Sequence, residues 1–276
     1  MRLLRTITIF GIIVPITGVL MPVQYFAVKL NRPLARRIPG VFHRLVCRLL
    51  GVRVHVHGQP VTDRPLLITP NHVSWLDIPI ISTVLPVSFI AKAEVAGWPV
   101  FGTLARLQRT VFVNRERRSA TGAVASEIAD RLDRGDAMVL FPEGTSGDGN
   151  FILPFRSALL GAAREAISRG NSERVWVQPM SLVYSKVQGL PMGRQFRPMA
   201  AWYGDMDMLP HLMGIVREGV FDVDVFWGEP IVYDPQSDRK AVAALAETAV
   251  RTLTAAALRG RHEEVRPHRE IAAEVQ

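Results

Sequence analysis

The chain has 276 residues, with 33 Lys or Arg against 25 Asp or Glu, a formal net charge of +8 and a pI near 10.3. One cysteine, Cys47, excludes an internal disulfide framework and a cysteine-rich zinc site; the residue fits a small core position on a helix. Apolar residues make up 48% and the mean hydropathy is +0.16, greasy for a soluble enzyme, while the basic balance asks for an anionic partner: nucleic acid, anionic lipid or a phosphorylated substrate.

From Ile7 to Val28 no residue is charged, a run long enough to cross a bilayer, which needs about 20 apolar residues. Arg2 and Arg5 precede it; Lys29, Arg32, Arg36 and Arg37 follow it; Gly11, Pro15, Gly18 and Pro22 interrupt it. A cleaved signal peptide lacks a convincing small-x-small site here. A spanning helix and a re-entrant hairpin bent near Pro15–Pro22 both remain open, the hairpin accounting better for positive charge on both flanks. Pro33 to Leu50 reads as a basic helix, with Arg36, Arg37, Arg44 and Arg48 placed to meet an anionic lipid surface.

Val52–His57 alternates with period two and predicts a half-buried strand. Its His55 and His57 share a face, but the exposed face of an edge strand explains them without a metal. The apolar run at Leu66–Thr69 ends at Pro70 and leads into Asn71-His72-Val73-Ser74-Trp75-Leu76-Asp77. This places a histidine and a carboxylate where a buried strand ends and a helix begins, the usual seat of chemistry in α/β proteins. Such a pair supplies a proton acceptor near neutral pH and a group to hold its tautomer.

Further strands are expected at Val87–Ala91, Thr110–Val113, Ala137–Leu140, Val175–Val183 and around Val223–Trp227, with helices at Val100–Leu107, Ser119–Arg134 (capped by Ser119), from Pro154 and at Arg239–Leu258. Arg115 follows one strand closely and, as a forked cation, suits phosphate or carboxylate recognition. Phe141-Pro142-Glu143-Gly144-Thr145-Ser146-Gly147 follows another; it is neither a Walker loop nor a nucleophile elbow, so Ser74 and Ser146 are weak candidates for a hydrolase serine. The alternation of strand and helix over Val52–Val183 predicts an α/β fold with a mostly parallel sheet flanked by helices. The expected organisation is a membrane-associated segment with a basic helix at 1–50, an α/β domain at 51–258 and a charged tail at 259–276.

Four blocks in order resemble the PlsC-like glycerolipid acyltransferases, over about Leu66–Val183. His72 and Asp77 match the family's H-x4-D block; Phe112 and Arg115 its aromatic–arginine block; Phe141–Thr145 its F-P-E-G-T block; Val177–Met180, around Pro179, its fourth. The resemblance implies transfer of a fatty acyl group from acyl carrier protein or coenzyme A to a lyso-lipid hydroxyl, with no metal and no other cofactor. His72 would be the general base and Asp77 its orienting partner. Arg115, Glu143, Gly144, Thr145 and Arg156 would bind the acceptor, and Phe112, Pro142 and Pro179 would serve the acyl site or the motif's structure. The implied location is the cytoplasmic face of the inner membrane. Where phosphatidic-acid-forming members commonly carry arginine after F-P-E-G-T, this chain has Ser146. That departure, with Pro154–Leu159 and Gly204–His211, resembles the ornithine-lipid branch, so lysophosphatidic acid and lyso-ornithine lipid both stand as acceptors. A non-catalytic lipid-binding or membrane-remodelling protein on the same fold is the alternative. A nucleic-acid partner is not expected, because the arginines are scattered and no aromatic platform is interleaved with them.

Overall fold

The computed structural model describes residues 2–113, 121–158, 160, 161, 164, 167 and 173–261. In chain order these form α1 (Arg2–Lys29), α2 (Leu34–Leu50), β1 (Val52–His57), β2 (Leu66–Pro70), α3 (Asp77–Val84), β3 (Val87–Lys92), α4 (Phe101–Leu107), β4 (Val111–Val113), α5 (Thr121–Asp133) and β5 (Ala137–Leu140). There follow β6 (Val175–Val187), β7 (Leu190–Pro191), α6 (Met208–Glu218), β8 (Phe221–Trp227), β9 (Ile231–Tyr233) and α7 (Arg239–Leu258). Ser119, Arg115 and most of the charged tail lie outside the described residues.

The strands make one sheet in the order β1-β8-β6-β2-β5-β3-β4, with β7 and β9 also on β6. Pairing is parallel from β6 through β2, β5 and β3 to β4, and again between β1 and β8; β6 meets β7, β8 and β9 antiparallel. Side chains alternate across it, as a period of two requires. Leu66, Ile68, Ala137 and Val139 face the core beneath α1, α2, α3 and α6, whereas Leu67, Met138 and Leu140 face the core beneath α5 and α7. Both faces being covered, β2 and β5 are buried throughout and read as continuous apolar runs.

Pro179 sits inside β6, where a missing N–H would normally break a ladder. It lies where β6 changes neighbour: Val175–Val177 pair with β9 and Met180 onward with β8. Gly228 N–H donates to its carbonyl in the gap, at 2.8 Å.

The α1 helix corrects one expectation. The hairpin bend near Pro15–Pro22 does not form, and α1 is a single helix with both prolines inside. Each proline removes the bond to a carbonyl four residues earlier, those of Gly11 and Gly18, and the helix continues through both. The helix lies along the domain. Arg5 donates to Val216 O and Leu50 O, both at 2.8 Å, and Gln24 donates to Ala35 O at 3.0 Å and Leu107 O at 2.7 Å. Its Ile9 is buried, while Leu3, Leu4, Ile7, Val14, Val19 and Phe26 face outward. The α2 helix gives Val46, Cys47 and Leu50 to the same core, so packing runs across the boundary expected after residue 50. Gly40 brings α2 close to α3: a Cβ there would stand 3.1 Å from Ser82 O.

The helix expected from Pro154 begins later. Residues 152–156 are irregular, and helical geometry starts at Ser157. Burial of Phe155 and the bond from Arg156 N–H to Pro142 O, at 2.8 Å, hold this segment to the Phe141–Gly144 turn instead.

Candidate active site

The site occupies the carboxyl ends of β2 and β5, where parallel neighbours bring two loops side by side. Asn71 carries the chain off β2 as a side-chain continuation of the sheet. Its amide donates to Leu182 O at 3.0 Å and accepts from Leu182 N–H at 2.7 Å. The next residue, His72, is thereby aimed at the mouth of the sheet.

Asp77, the first residue of α3, is fully buried. Its Oδ2 is 2.8 Å from His72 Nδ1 and accepts N–H groups from Val73 at 2.7 Å and Ser74 at 3.0 Å. Its Oδ1 accepts the Tyr184 hydroxyl at 2.7 Å. A carboxylate so held is a fixed acceptor: the two backbone N–H groups on Oδ2 can only donate, so the same oxygen accepts from His72 as well, which places the imidazole proton on Nδ1. Burial and the Asp77 charge hold the Tyr184 phenol well above its ordinary pKa, so it remains a donor. Nε2 of His72 has no hydrogen-bond partner among the described residues, and with 18% of the side chain exposed it is the ring nitrogen free to accept a proton.

The His72 ring stacks on Phe141, 3.9 Å between centroids. Its backbone is clamped on both sides: His72 N–H donates to Glu143 Oε1 at 2.9 Å, and Gly147 N–H donates to His72 O at 2.8 Å. Glu143 is itself buried, and its second oxygen accepts Leu153 N–H at 2.9 Å. Burial outweighs these two donors and pushes the Glu143 carboxyl up to about 7. Both oxygens are engaged with backbone, which ties the Phe141–Gly144 turn to the histidine loop.

The remaining expected residues are placed as follows. Pro142 is buried, and Gly144, at φ +76, closes the turn with a bond of 3.2 Å to Phe141 O. Thr145 is exposed beside it. Arg156 is brought to Pro142 by its backbone, with its side chain exposed. Phe112 is half-buried on the edge strand β4, and Pro179 belongs to the sheet interior. Ser146 donates its hydroxyl to Trp202 O, and Trp202 N–H donates to Val73 O at 2.9 Å. Ser146 therefore staples a distant segment to the histidine loop.

That segment brings cations which sequence reading passed over. Arg197 donates to Asn150 Oδ1 at 2.9 Å, and a Cβ on Gly149 would lie 3.3 Å from Val73 Cγ1 and 3.7 Å from Arg197 Cβ. Arg194 lies over the Phe151 ring, 4.9 Å from its centroid. Asp148 caps this loop, accepting from Asn150 N–H at 2.9 Å. Tyr184 and Asn71 were also missed. Asn71 borders the histidine and could have been singled out on that ground; Tyr184 carries no local signal.

His55 and His57 do lie on the edge strand, yet each has an acidic partner remote in sequence. His55 Nε2 is 2.8 Å from Asp222 and His57 Nε2 is 2.7 Å from Asp224, across the β1–β8 pair. No group of three or more metal-ligating side chains occurs among the described residues.

Residues 53–183 match the family model described as Acyltransferase. The chain is 50% identical over 262 residues to the lyso-ornithine lipid O-acyltransferase of Brucella abortus, covering 94% of this chain and 98% of that one. It is 46% identical over 250 residues to the protein of the same name from Rhizobium meliloti, covering 91% and 86%. The crystal structure of the 1-acyl-sn-glycerophosphate acyltransferase PlsC from Thermotoga maritima superimposes with a TM-score of 0.61 at 23% identity, over 92% of this chain and 97% of that one, and shares the fold. The chain belongs to the PlsC-like glycerolipid acyltransferase family and is an acyltransferase.

Proposed function

We propose that this protein transfers a fatty acyl group from an acyl carrier protein or coenzyme A thioester to the hydroxyl of lyso-ornithine lipid, with His72 as general base. The observation that supports this most directly is the His72–Asp77 pair, 2.8 Å apart, with the opposite ring nitrogen left open. A lipid hydroxyl at neutral pH is a poor nucleophile. Nε2 of His72 accepts its proton as the oxygen attacks the thioester carbonyl; the carbon–sulfur bond then breaks, and the imidazolium returns the proton to the departing thiolate. Asp77 steadies the imidazolium. A positioned base of this kind contributes about 10²–10⁴-fold, and holding the two substrates together supplies much of the rest.

Two features favour lyso-ornithine lipid over 1-acyl-sn-glycerol-3-phosphate. Relatives that share nearly the whole chain carry that name, whereas the match to the 1-acyl-sn-glycerol-3-phosphate acyltransferase of Neisseria gonorrhoeae covers 40% of the chain. In addition, Ser146 is neutral and engaged with Trp202, so cations for the acceptor come from Arg194 and Arg197, close to acidic Asp148. A mixed cluster suits a head group with a carboxylate and an ammonium better than a phosphate monoester.

The protein works at a membrane surface. Arg5 and Gln24 are tied to the domain roughly 28 Å apart along α1. A helix fastened at both places lies with its apolar outer face in one leaflet, so the domain rests on the bilayer, here the cytoplasmic face of the inner membrane. The test is a purified-enzyme assay with labelled acyl thioester and each lyso-lipid in turn. Diacyl product from lyso-ornithine lipid, and its loss in His72→Ala, are expected. Equal turnover in His72→Ala would overturn the mechanism, and a strong preference for the phosphate acceptor would overturn the substrate.

A further inference from the structure

The opposite end of the sheet carries a second polar site. A cavity of about 330 Å³ opens at the amino ends of β3 and β5, lined among others by Val87, Ser88, Gly135 and Ala137. Its walls hold four arginines, Arg36, Arg37, Arg64 and Arg109, and a single carboxylate, Asp136. Since β2, β3 and β5 run parallel, it is separated from His72 by the length of the strands.

Charge here is out of balance. Asp136 is buried and shared by three guanidiniums: Arg36 Nε at 2.9 Å, Arg109, and Arg131 at 3.7 Å. Arg131 also has Glu127, at 3.4 Å. Arg37 and Arg64 form no ion pair among the described residues; Arg64 Nη1 is taken up by the carbonyls of Val61, Thr62 and Asp63. Arg36, Arg37 and Arg64 are exposed at the cavity, so cations in excess of anions stand open to an incoming anion. Two further features mark the cavity. Arg36 and Arg37 lie in the first turn of α2, which has no acidic residue there, so they face the positive end of the helix dipole. Arg109 is held at φ +64, a conformation that disfavours any residue but glycine by about 1–2 kcal/mol.

An apolar crevice adjoins the cavity, sharing Pro39 and Gln108 with it and lined by Leu20, Met21, Ile38, Phe42 and Leu104. It lies between α1, α2 and α4, under the helix that faces lipid. The crevice, at about 50 Å³, is too small for an acyl chain, but it sets the basic chamber beside the helix whose apolar face is exposed, where a lipid phosphate would lie.

We propose that the Arg36–Arg37–Arg64–Arg109 cavity binds the phosphate of an anionic phospholipid and so fixes the domain on the bilayer, apart from the acyl-transfer site. Phosphate oxygens would take the donors of Arg37 and Arg64, while Arg36 and Arg109 stay anchored to Asp136.

The experiment follows thermal stability of the full chain in neutral detergent during titration with phosphatidylglycerol, phosphatidylcholine or inorganic phosphate. Phosphatidylglycerol is expected to stabilise it and phosphatidylcholine not. In Arg37→Gln the half-effect concentration should rise roughly fivefold, with a larger rise in Arg37→Gln/Arg64→Gln. Arg44→Gln, the same charge change on the exposed side of α2, should leave it unchanged. An equal rise in Arg44→Gln would mean diffuse attraction and overturn the site, as would no stabilisation by any anion. Inorganic phosphate matching phosphatidylglycerol would keep an anion site but overturn its lipid source. Arg37 makes no side-chain bond among the described residues, so its variant should fold even where the double variant does not.

Discussion

The two ends of the parallel sheet handle polar groups in opposite ways. At the carboxyl end, almost every charge is saturated from within: Asp77 takes four donors, Glu143 takes two, and one imidazole nitrogen is left over. At the amino end, four arginines face a cavity with one carboxylate between them. Saturation gives rigidity and a single defined reactive atom. Excess leaves an appetite for a ligand. On the function proposed, the first holds a base in position, where a misplaced one loses its advantage, and the second serves to take up an anion.

This contrast can be broken most forcefully at His72. Replacing it with alanine should lower kcat by about 10²–10⁴-fold while leaving vesicle binding and the melting temperature near those of wild type. Asp77→Asn comes next. It should cost a similar factor in rate and, unlike the histidine variant, destabilise the fold, because a neutral amide would replace a buried carboxylate that takes four donors; circular dichroism melts would show the difference. Tyr184→Phe removes one bond to a buried carboxylate and should cost about 1.5–3 kcal/mol in denaturant unfolding, with a smaller loss of kcat.

Smaller effects sharpen the comparison. Arg197→Gln should raise the KM for the acceptor several-fold with little change in kcat, as expected for a group that binds without taking part in bond making. Glu143 offers a pH test. Its folded pKa is raised to about 7 from 4.5, so its contribution to stability is full below about 4.5 and is lost as pH rises toward 7. Buried His43, lowered to about 4, slopes the other way, losing its contribution as pH falls from 6.5 toward 4. The difference between wild type and Glu143→Gln, measured by urea unfolding across that range, isolates the carboxyl: the relative stability of wild type should decline with rising pH.

Local pattern carried a good deal of this. The strand at Ala137–Leu140 and the helix at Arg239–Leu258 form with the expected bounds, because a continuous apolar run and a helical apolar repeat are local signals. The His72 and Asp77 positions were legible for the same reason, five residues apart on one loop. What could not be read was supplied across the sheet. Tyr184 reaches Asp77 from 107 positions away, and Asp222 and Asp224 reach His55 and His57 from 167. Those meetings depend on strand order, with β8 inserted between β1 and β6, and no short window of sequence encodes it. The same limit hid Arg197, whose place beside Asn150 follows from the Trp202 staple. It also hid the inward engagement of Glu143, since an exposed motif glutamate and a buried one have the same spelling.

The lengthwise seat of α1 has a practical meaning for anyone handling the protein. A membrane anchor is usually a detachable part, and cutting it away frees a soluble enzyme. Here removal would strip Ile9 from the core and leave Leu50 O, Val216 O, Ala35 O and Leu107 O without their donors. The helix with the exposed apolar face is also a wall of the folded body. Shortening the chain from this end would therefore cost the fold, not only an apolar surface.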